Sequence, residues 1–526
     1  MTKEELTEKL TKNMSNTVII PTPGLGNRMG ALTKNLNKAL LPYKEKPIIS
    51  HIIENFPDDT KFVIALGYLS DQVKDFVNIT YPDRNVTFVE VDDYTSEKSG
   101  TAYTLKCCKK HISSSFWYVP CDTFFDEEVV DKVSQDNIYF VKTVPENASH
   151  LYTMLKIEHG LIADVFFKKT KDESHQAFTG LMYIHNWQKF FNDLDSLESN
   201  EFIYIIEKYG KTELLNSWID FGDQISYQTA LSKSQKFDFS KKDEITYICN
   251  NKTVKWWLKN NIADQKHNRA LQNELVFPEN CTKEGHFIAY DFFQGKTLYQ
   301  FNNPIAFNEL LSWLNTNLWV VNKSTNIDDL CHKFYKDKSL ERIDLFLNKY
   351  HKLPKIEYVD GVKIKDYTYY LKNIDWDYLS KHNLPGFIHG DLQFDNIIIN
   401  NAGQFKLIDW RNEFAGSTET GDIYYDLAKM AGGLIINYAN IKNHNFDIEF
   451  DDNNVILSVP NIDNITIYQE KLYEFASNKN LDIKKIKQLI PIIFWNMSPL
   501  HTAPFDQFLW YLGLKLFAQN EEILQH

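Results

Sequence analysis

Short apolar runs alternate with stretches of helical periodicity through the first part of the chain. Thr17–Pro21, Lys61–Leu66, Val86–Val91 and Phe116–Pro120 have strand character, and helical patterns lie around 47–55, 70–77 and 100–111. This alternation predicts a parallel sheet with helices on its faces. Mixed elements continue to about Ala230, where the polar run Ser232-Lys233-Ser234-Gln235-Lys236 marks a boundary. Beyond about 237 the order changes. Strands are expected at Glu244–Cys249 and Thr253–Leu258, then a helical segment containing Arg269–Leu275, then a strand His286–Phe293 that runs into Gln294-Gly295-Lys296. After Pro304 helical patterns dominate, broken by the hairpin-like Val359-Asp360-Gly361-Val362. The expected division is an N-terminal extension (1–16), a first domain (17–231), a linker (232–242) and a second domain (243–526). The second domain has a small strand-rich lobe, about 243–295, and a larger helical lobe, about 296–526.

A chain of 526 residues is too long for one core. Its net charge of −13 argues against a general binder of nucleic acid or anionic membranes, so any triphosphate site must be a local basic patch with Mg²⁺. The opening Met1-Thr2-Lys3-Glu4-Glu5 is polar and acidic, without the apolar core of a signal peptide. The longest apolar run near the C-terminus, Leu489 to Trp495, is too short to span a bilayer and contains Pro491. Six scattered cysteines, Cys107 and Cys108 adjacent, lack metal-ligand or disulfide-framework spacing, which suits reduced thiols and a cytoplasmic location.

Two stretches carry chemistry. In the second domain, His389-Gly390-Asp391-Leu392-Gln393-Phe394-Asp395-Asn396 follows the apolar Gly386-Phe387-Ile388. Asp391 can accept a proton from, or orient, an attacking hydroxyl. Asn396 offers a neutral oxygen to Mg²⁺, and a hairpin of Ile397–Ile399 with Phe405–Ile408 would carry Asp409 as a second, charged ligand. One base-like carboxylate and two metal ligands suffice for phosphoryl transfer, where the protein mostly positions groups and neutralises charge. These residues resemble the aminoglycoside phosphotransferase and choline kinase family over roughly 240–520, most strongly at 386–430. The resemblance implies a two-lobed protein-kinase-like fold. It makes His286–Gly295, with Asp291, the adenine-holding strand, and Lys255 or Lys259, on one face of a short strand, the ATP-phosphate lysine. Gly421-Asp422-Ile423-Tyr424-Tyr425-Asp426-Leu427-Ala428 matches the family's acidic helix start, whose aspartates buttress the catalytic loop and cap the helix. Choline kinases of this type carry an acidic residue directly after Ile-Asp-Trp, whereas this chain has Arg411, with Glu413 two further on. As a substrate-binding cation Arg411 suits a neutral or acidic acceptor; a structural ion-pair partner is the other reading.

In the first domain, Pro23-Gly24-Leu25-Gly26-Asn27-Arg28-Met29 directly follows the first strand. Glycines there let backbone N–H groups approach a triphosphate, Arg28 supplies charge, and Lys38 in Asn37-Lys38-Ala39-Leu40-Leu41-Pro42 is placed to neutralise an attacked α-phosphate. The pattern resembles the nucleotidyltransferase superfamily that makes nucleoside-diphosphate sugars and CDP-choline, over about 17–230. That resemblance implies a Rossmann-like α/β domain with a mixed, mostly parallel sheet and helices on both faces. It implies nucleotide-binding roles for Gly24, Leu25, Gly26, Gly100 and Thr101, metal-binding roles for Asp122 and Asp220, and catalytic roles for Arg28 and Lys38. Gly180, in Phe178-Thr179-Gly180, would line the acceptor pocket. Sugar nucleotidyltransferases commonly show Glu-Lys-Pro in the acceptor strand; this chain has Phe167-Lys168-Lys169-Thr170, whose Lys169 could still meet the incoming phosphate.

Together the two resemblances imply consecutive steps in one chain. A hydroxylated small molecule is phosphorylated by ATP, and its phosphate is then joined to a nucleotide, CTP first, with release of pyrophosphate. Such products feed capsule and cell-surface polysaccharides. The choline pathway is the alternative, and a degenerate, regulatory domain is the alternative of another class. The expected partners are a small-molecule substrate and nucleotides, with no nucleic acid and no membrane insertion; a homo-oligomer is left open.

Overall fold

The structure, a computed structural model, describes residues 17–96, 99–166, 175–206, 210–232, 243–350, 353–461 and 463–524. They form two compact units. The first holds 17–232 with Asp243–Leu258 and Lys283–Ala289, and the second holds Lys259–Thr282 and the chain from Tyr290 onward.

The first unit is built on a nine-stranded sheet. Its order is Asn85–Glu90, Lys61–Leu66, Thr17–Pro21, Phe116–Tyr118, His175–Ile184, Ile138–Lys142, Lys211–Leu214, Leu161–Phe166 and Met154–Glu158. Alternate residues of the central strands enter two separate apolar cores. Val18, Ile20, Phe62 and Ile64 face one, and Ile19, Val63 and Ala65 the other, so this part of the sheet is buried on both faces.

The expectation of a mostly parallel sheet holds only for the first four strands. Beyond Phe116–Tyr118 the pairings are antiparallel, except that of Lys211–Leu214 with Ile138–Lys142. Parallel neighbours need crossovers, and the helices Ile48–Glu54, Ser70–Thr80 and Thr101–Cys108 occur only among those four strands. Later reversals are tight, as at His159-Gly160, where both residues have positive φ.

A hairpin of Glu244–Cys249 and Lys252–Trp257, in register from Glu244↔Trp257 to Cys249↔Lys252, also belongs to this unit. Tyr247, Val254, Trp256, Phe287 and Ala289 share one apolar core with Val73 and Phe76, and the Tyr247 hydroxyl donates to Leu40 O at 2.6 Å. The sequence reading places these strands in the second domain; the packing of their apolar faces groups them with the first unit. The strand Lys252–Trp257 also ends earlier than expected. Ile262 N bonds to Lys259 O at 3.1 Å as the helix Asn260–Gln272 begins, so Lys259 is exposed beyond the strand and does not share a strand face with Lys255.

The second unit is largely helical, with Pro304–Asn317, Lys338–Lys349, Ile423–Gly433, Ile465–Asn478, Ile483–Met497 and Phe505–Leu524 as its longer helices after Asn260–Gln272. Trp510 stacks between Phe346 (4.4 Å between centroids) and Trp495 (5.1 Å) and anchors this core. Two hairpins expected from sequence are present. Tyr358–Val359 pairs with Val362–Lys363 across Asp360-Gly361, both of positive φ, and Ile397–Ile399 pairs with Phe405–Leu407. Among the described residues no helix is long and apolar enough to cross a membrane, and all six cysteines are free.

Candidate functional sites

In the first unit, the loop after Thr17–Pro21 is shaped by Gly26. Its φ of 68° is left-handed, and a Cβ there would lie 3.0 Å from the Thr33 side chain. A Cβ on Gly24 would meet nothing within 4 Å, so its backbone faces open space. Asn37 fixes the next turn by donating to Thr22 O and Tyr68 O and accepting from Ala39 N. Lys38, which follows, reaches inward, and its Nζ donates to Asp122 Oδ2 at 2.7 Å and to Gly222 O at 3.1 Å.

The two candidate metal aspartates, nearly a hundred residues apart in sequence, meet through a two-stranded ribbon. Thr123–Phe124 pairs with Ile219–Asp220, and Phe221 N donates to Asp122 O at 2.8 Å. Asp122 lies in the turn before Thr123, and the strand expected over Phe116–Pro120 stops at Tyr118, before Pro120. Burial would raise the Asp122 carboxyl, but Lys38 and Arg28 outweigh it and hold it below the usual carboxylate range. Asp220 goes the other way. Burial and then the charge of Asp122 push it up to about 6, although its Oδ1 accepts from Gly222 N at 2.8 Å.

These residues line a cavity of about 560 Å³ together with Gly24, Gly26, Arg28, Gly100, Thr101 and Gly180, a size suited to a nucleotide-scale ligand. Gly100 is extended, and a Cβ there would lie 2.3 Å from Asn200 O; Thr101 Oγ1 donates to Glu201 Oε2 at 2.9 Å. Gly180 has φ of 85°, and a Cβ there would lie 2.6 Å from Pro120 Cγ. Leu25 does not join this wall; it lines a separate pocket with Asn27, Gly30 and Lys34. Lys169 falls outside the described residues. Glu201 and Asp223 escape the sequence reading. Asp223, which caps the helix Gln224–Ser232 by accepting from Ile225 N and Ser226 N, also feels Arg28. An Asp three residues after Asp220 and just before a helix is the signal that could have found it. Lys255 is buried on the hairpin, its Nζ 3.3 Å from Glu244 Oε1.

In the second unit, the His389–Asn396 loop is held from below by Asp426. This buried carboxylate accepts from His389 N and Gly390 N at 2.7 Å each and from Trp319 Nε1 at 3.1 Å. Asp422 caps the same helix through Tyr424 N at 3.2 Å and pairs with Lys485 at 2.7 Å, so both aspartates act as buttress and cap, as expected. His389 is fully buried, with Nε2 2.8 Å from Ile408 O, and burial pulls it down to about 3. It is a neutral structural group, not a proton carrier at neutral pH.

Asp391 pairs with Lys429 at 2.7 Å. Burial opposes its charge, but Lys429 and Arg411 prevail and draw the carboxyl down to about 2. Asn396 Nδ2 donates to Asp391 O at 2.8 Å, which orients its Oδ1 away from that contact, and Ile408 N donates to Asn396 O at 2.9 Å, bringing Asp409 beside it. Asp409 itself has φ of 60°. Arg411 Nε donates to Gly390 O at 3.1 Å, and among the described residues Arg411 forms no ion pair. Exposed Asp291 accepts from Asn280 Nδ2 at 2.7 Å. Lys429 was invisible in sequence because it sits one turn after Asp426 in an otherwise apolar helix, where a lysine reads as surface.

The donor sets suit a hard divalent cation. Asp122 and Asp220 line one cavity, Asn396 and Asp409 stand at neighbouring positions across the backbone bond from Ile408 N to Asn396 O, and among the described residues no group of three or more His, Cys, Asp or Glu converges. Mg²⁺ is ordinarily held by one or two protein carboxylates plus phosphate oxygens and water. The raised Asp220 marks a carboxylate pair that a cation would relieve.

No family model matches the chain. It is 25% identical over 185 residues to the bifunctional protein GlmU of Methanococcus aeolicus, covering 35% of this chain and 43% of that protein. It thus spans less than half of that relative. Over 171 residues it is 23% identical to the UTP–glucose-1-phosphate uridylyltransferase AglF of Haloferax volcanii, covering 31% of this chain and 69% of that protein. Among solved structures, CTP:phosphocholine cytidylyltransferase from Streptococcus pneumoniae (LicC) is 20% identical, with a TM-score of 0.34 covering 42% of this chain and 99% of that one. A UDP-glucose pyrophosphorylase complexed with UDP-glucose is 17% identical, with a TM-score of 0.36 over 42% of this chain and all (100%) of that one. The sequence similarity to GlmU and AglF supports a nucleotidyltransferase relationship for the N-terminal part of the chain. The kinase-like reading of the second unit rests on its own residues.

Proposed function

We propose that the chain is a bifunctional transferase. The second unit phosphorylates a small hydroxylated molecule with ATP. The first unit joins the resulting phosphate to a nucleotide, CTP by preference, with release of pyrophosphate. The product is a nucleotide-activated sugar, polyol or amino alcohol for cell-surface polysaccharide, made in the cytoplasm. The observation that carries the first activity is the convergence of Lys38, Asp122 and Asp220 in one cavity with the glycine loop. Similarity to a uridylyltransferase supports it.

In the first unit the open backbone at Gly24 and the left-handed Gly26 receive the triphosphate, and Arg28 and Lys38 offset its charge. Lys38 is already oriented by Asp122 and Gly222 O, so little reorganisation is needed as charge builds on the α-phosphate. In the second unit, Asp391 orients the acceptor hydroxyl. A carboxylate drawn down to about 2 is a weak base, so its work is alignment, and it takes up the proton only late in the transfer. Asp426 fixes the backbone that carries it. When bound at either oxygen pair, Mg²⁺ supplies neutralisation of phosphate charge.

Incubating the full chain with ATP, each NTP in turn and a panel of polyols, sugars and amino alcohols, followed by mass spectrometry, tests this reading. A nucleotide-diphosphate adduct that requires both ATP and a second NTP is the expected result. Formation of adducts only from pre-phosphorylated acceptors would remove the kinase half.

A further inference from the structure

The surroundings of Asp391 carry an excess of positive charge that the steps above do not use. Lys429 Nζ lies 2.7 Å from Asp391 Oδ1 and is itself buried. Arg411, tied through Nε to Gly390 O at 3.1 Å, holds its guanidinium 5.3 Å from the ring centre of Phe334 and 5.8 Å from that of Tyr425. Phe334 stacks on Phe414 at 4.1 Å and meets Tyr425 edge-on at 4.8 Å, so Arg411 rests on a fixed aromatic wall. The helix Lys338–Lys349 then adds Lys338, whose Nζ lies 3.8 Å over the Phe334 ring, and Arg342 four residues later on the same face.

Lys429, Arg411 and Lys338 thus all bear on one carboxylate that Lys429 already engages, and Arg342 adds a fourth cation beside Lys338 and Arg411. Burial, and then the like charges of Arg411, Arg342 and Lys429, hold Lys338 well below the usual lysine range, with Asp391 opposing them. Burial and Arg411 likewise lower Arg342, against Glu341. Like charges gathered at a partly desolvated wall are costly unless an anion joins them. An attacking hydroxyl must come within hydrogen-bond reach of Asp391, so the rest of the acceptor lies against this wall.

We propose that the acceptor phosphorylated by the second unit is anionic: a small hydroxylated molecule whose carboxylate or phosphate is held by Lys338, Arg342 and Arg411. The proposal rests on the kinase reading of that unit and narrows its substrate class. The acceptor oxygen forms the new bond to the γ-phosphorus of ATP, and the bond from that phosphorus to ADP breaks. ADP leaves with the electron pair, and the hydroxyl proton passes by way of Asp391 to solvent. Arginine and lysine side chains on a rigid aromatic support suit an oxyanion and repel a quaternary ammonium.

The test measures ADP formation and phosphorylated product for the full chain with three acceptor series. The anionic series contains D-glycerate and glycerol 3-phosphate, the neutral series glycerol, ribitol and glucose, and the cationic series choline and ethanolamine. The anionic series is expected to have the highest kcat/KM, and its two members separate a carboxylate from a phosphate preference. Lys338→Met and Arg342→Met should each raise the acceptor KM about 10- to 100-fold, the usual worth of a charge-assisted contact, with the KM for ATP unchanged. Lys338→Arg should restore most of the loss. Turnover of a neutral or cationic acceptor at equal or higher kcat/KM overturns the proposal and leaves the kinase reading standing. A rise in the KM for ATP in place of that for the acceptor overturns it too, because the cluster would then serve the nucleotide. Absence of phosphoryl transfer to all three series overturns the kinase reading and the proposal with it.

Discussion

Replacing Lys38 with methionine removes one cation from between two carboxylates while keeping most of the side-chain volume. The Lys38 side chain is 10% exposed and that of Asp122 25%. The pair therefore lies between the surface limit, near zero, and the cost of breaking a buried pair, and a loss of about 2 kcal/mol in folding stability is expected. The sign of the electrostatic change follows from the causes at each group. Without Lys38, burial acts less opposed on Asp122, whose carboxyl rises, and Asp220, already at about 6, loses a cation that was lowering it. Both acids then hold their protons to higher pH, so the acid limb of pyrophosphate release moves upward. Loss of a positioned cation at developing phosphate charge should lower kcat about 10²- to 10³-fold. Pyrophosphate release measured across pH, beside thermal unfolding of both proteins, reads all three effects. A kcat within about threefold of wild type, far inside the expected loss, with an unmoved acid limb would refute the assignment of Lys38.

Asp220 must give up its proton to meet a divalent cation, so Mn²⁺ affinity in calorimetric titration should climb about tenfold per unit as pH rises toward 6 and level off above it; affinity independent of pH there would contradict the pairing. Asp426→Asn places an amide NH₂ against at least one of the donors His389 N, Gly390 N and Trp319 Nε1. Chemical denaturation should show a loss of about 1–3 kcal/mol, and unchanged stability would remove the buttress argument. Lys429→Met withdraws the largest influence that lowers Asp391, so its carboxyl rises from about 2 and the acid limb of phosphoryl transfer shifts to higher pH; a fixed limb counts against the ion pair. Gly180→Ala forces a Cβ to 2.6 Å from Pro120 Cγ at a left-handed φ, and the melting temperature should fall by an amount matching about 1–3 kcal/mol.

Much of the first unit could be read from local pattern. Strands such as Thr17–Pro21 and Lys61–Leu66 are continuous apolar runs with turn residues at their ends, and their boundaries match the structure. The antiparallel half was harder to read, because its strands Met154–Glu158 and Leu161–Phe166 mix exposed and buried positions, Lys211–Leu214 has no buried position, and their partners are set by tertiary packing. The grouping of Glu244–Trp257 with the first unit depends on contacts such as Tyr247 with Phe76, 5.6 Å between ring centres, which no local pattern encodes. Of the sites, the glycine loop, Lys38 and the His389–Asn396 motif were legible because their spacing is fixed within one turn or loop. The meeting of Asp122 with Asp220 was implied only by resemblance. Lys338 and Arg342 stayed hidden: an i, i+4 pair of cations on an amphipathic helix reads as a solvated face until Phe334 and Arg411 are seen beside it.

The central claim is that a phosphate installed at Asp391 is the phosphate joined to a nucleotide at Lys38, Asp122 and Asp220. ATP labelled with oxygen-18 in its γ-phosphate, unlabelled CTP and the acceptor chosen by the panel, incubated with the full chain, test it in one tube. The account predicts a nucleoside-diphosphate adduct in which the label sits on the acceptor-side phosphate, and loss of that product in both Asp391→Asn and Asp122→Ala variants. An adduct formed without the label, or one that survives either substitution, would contradict it.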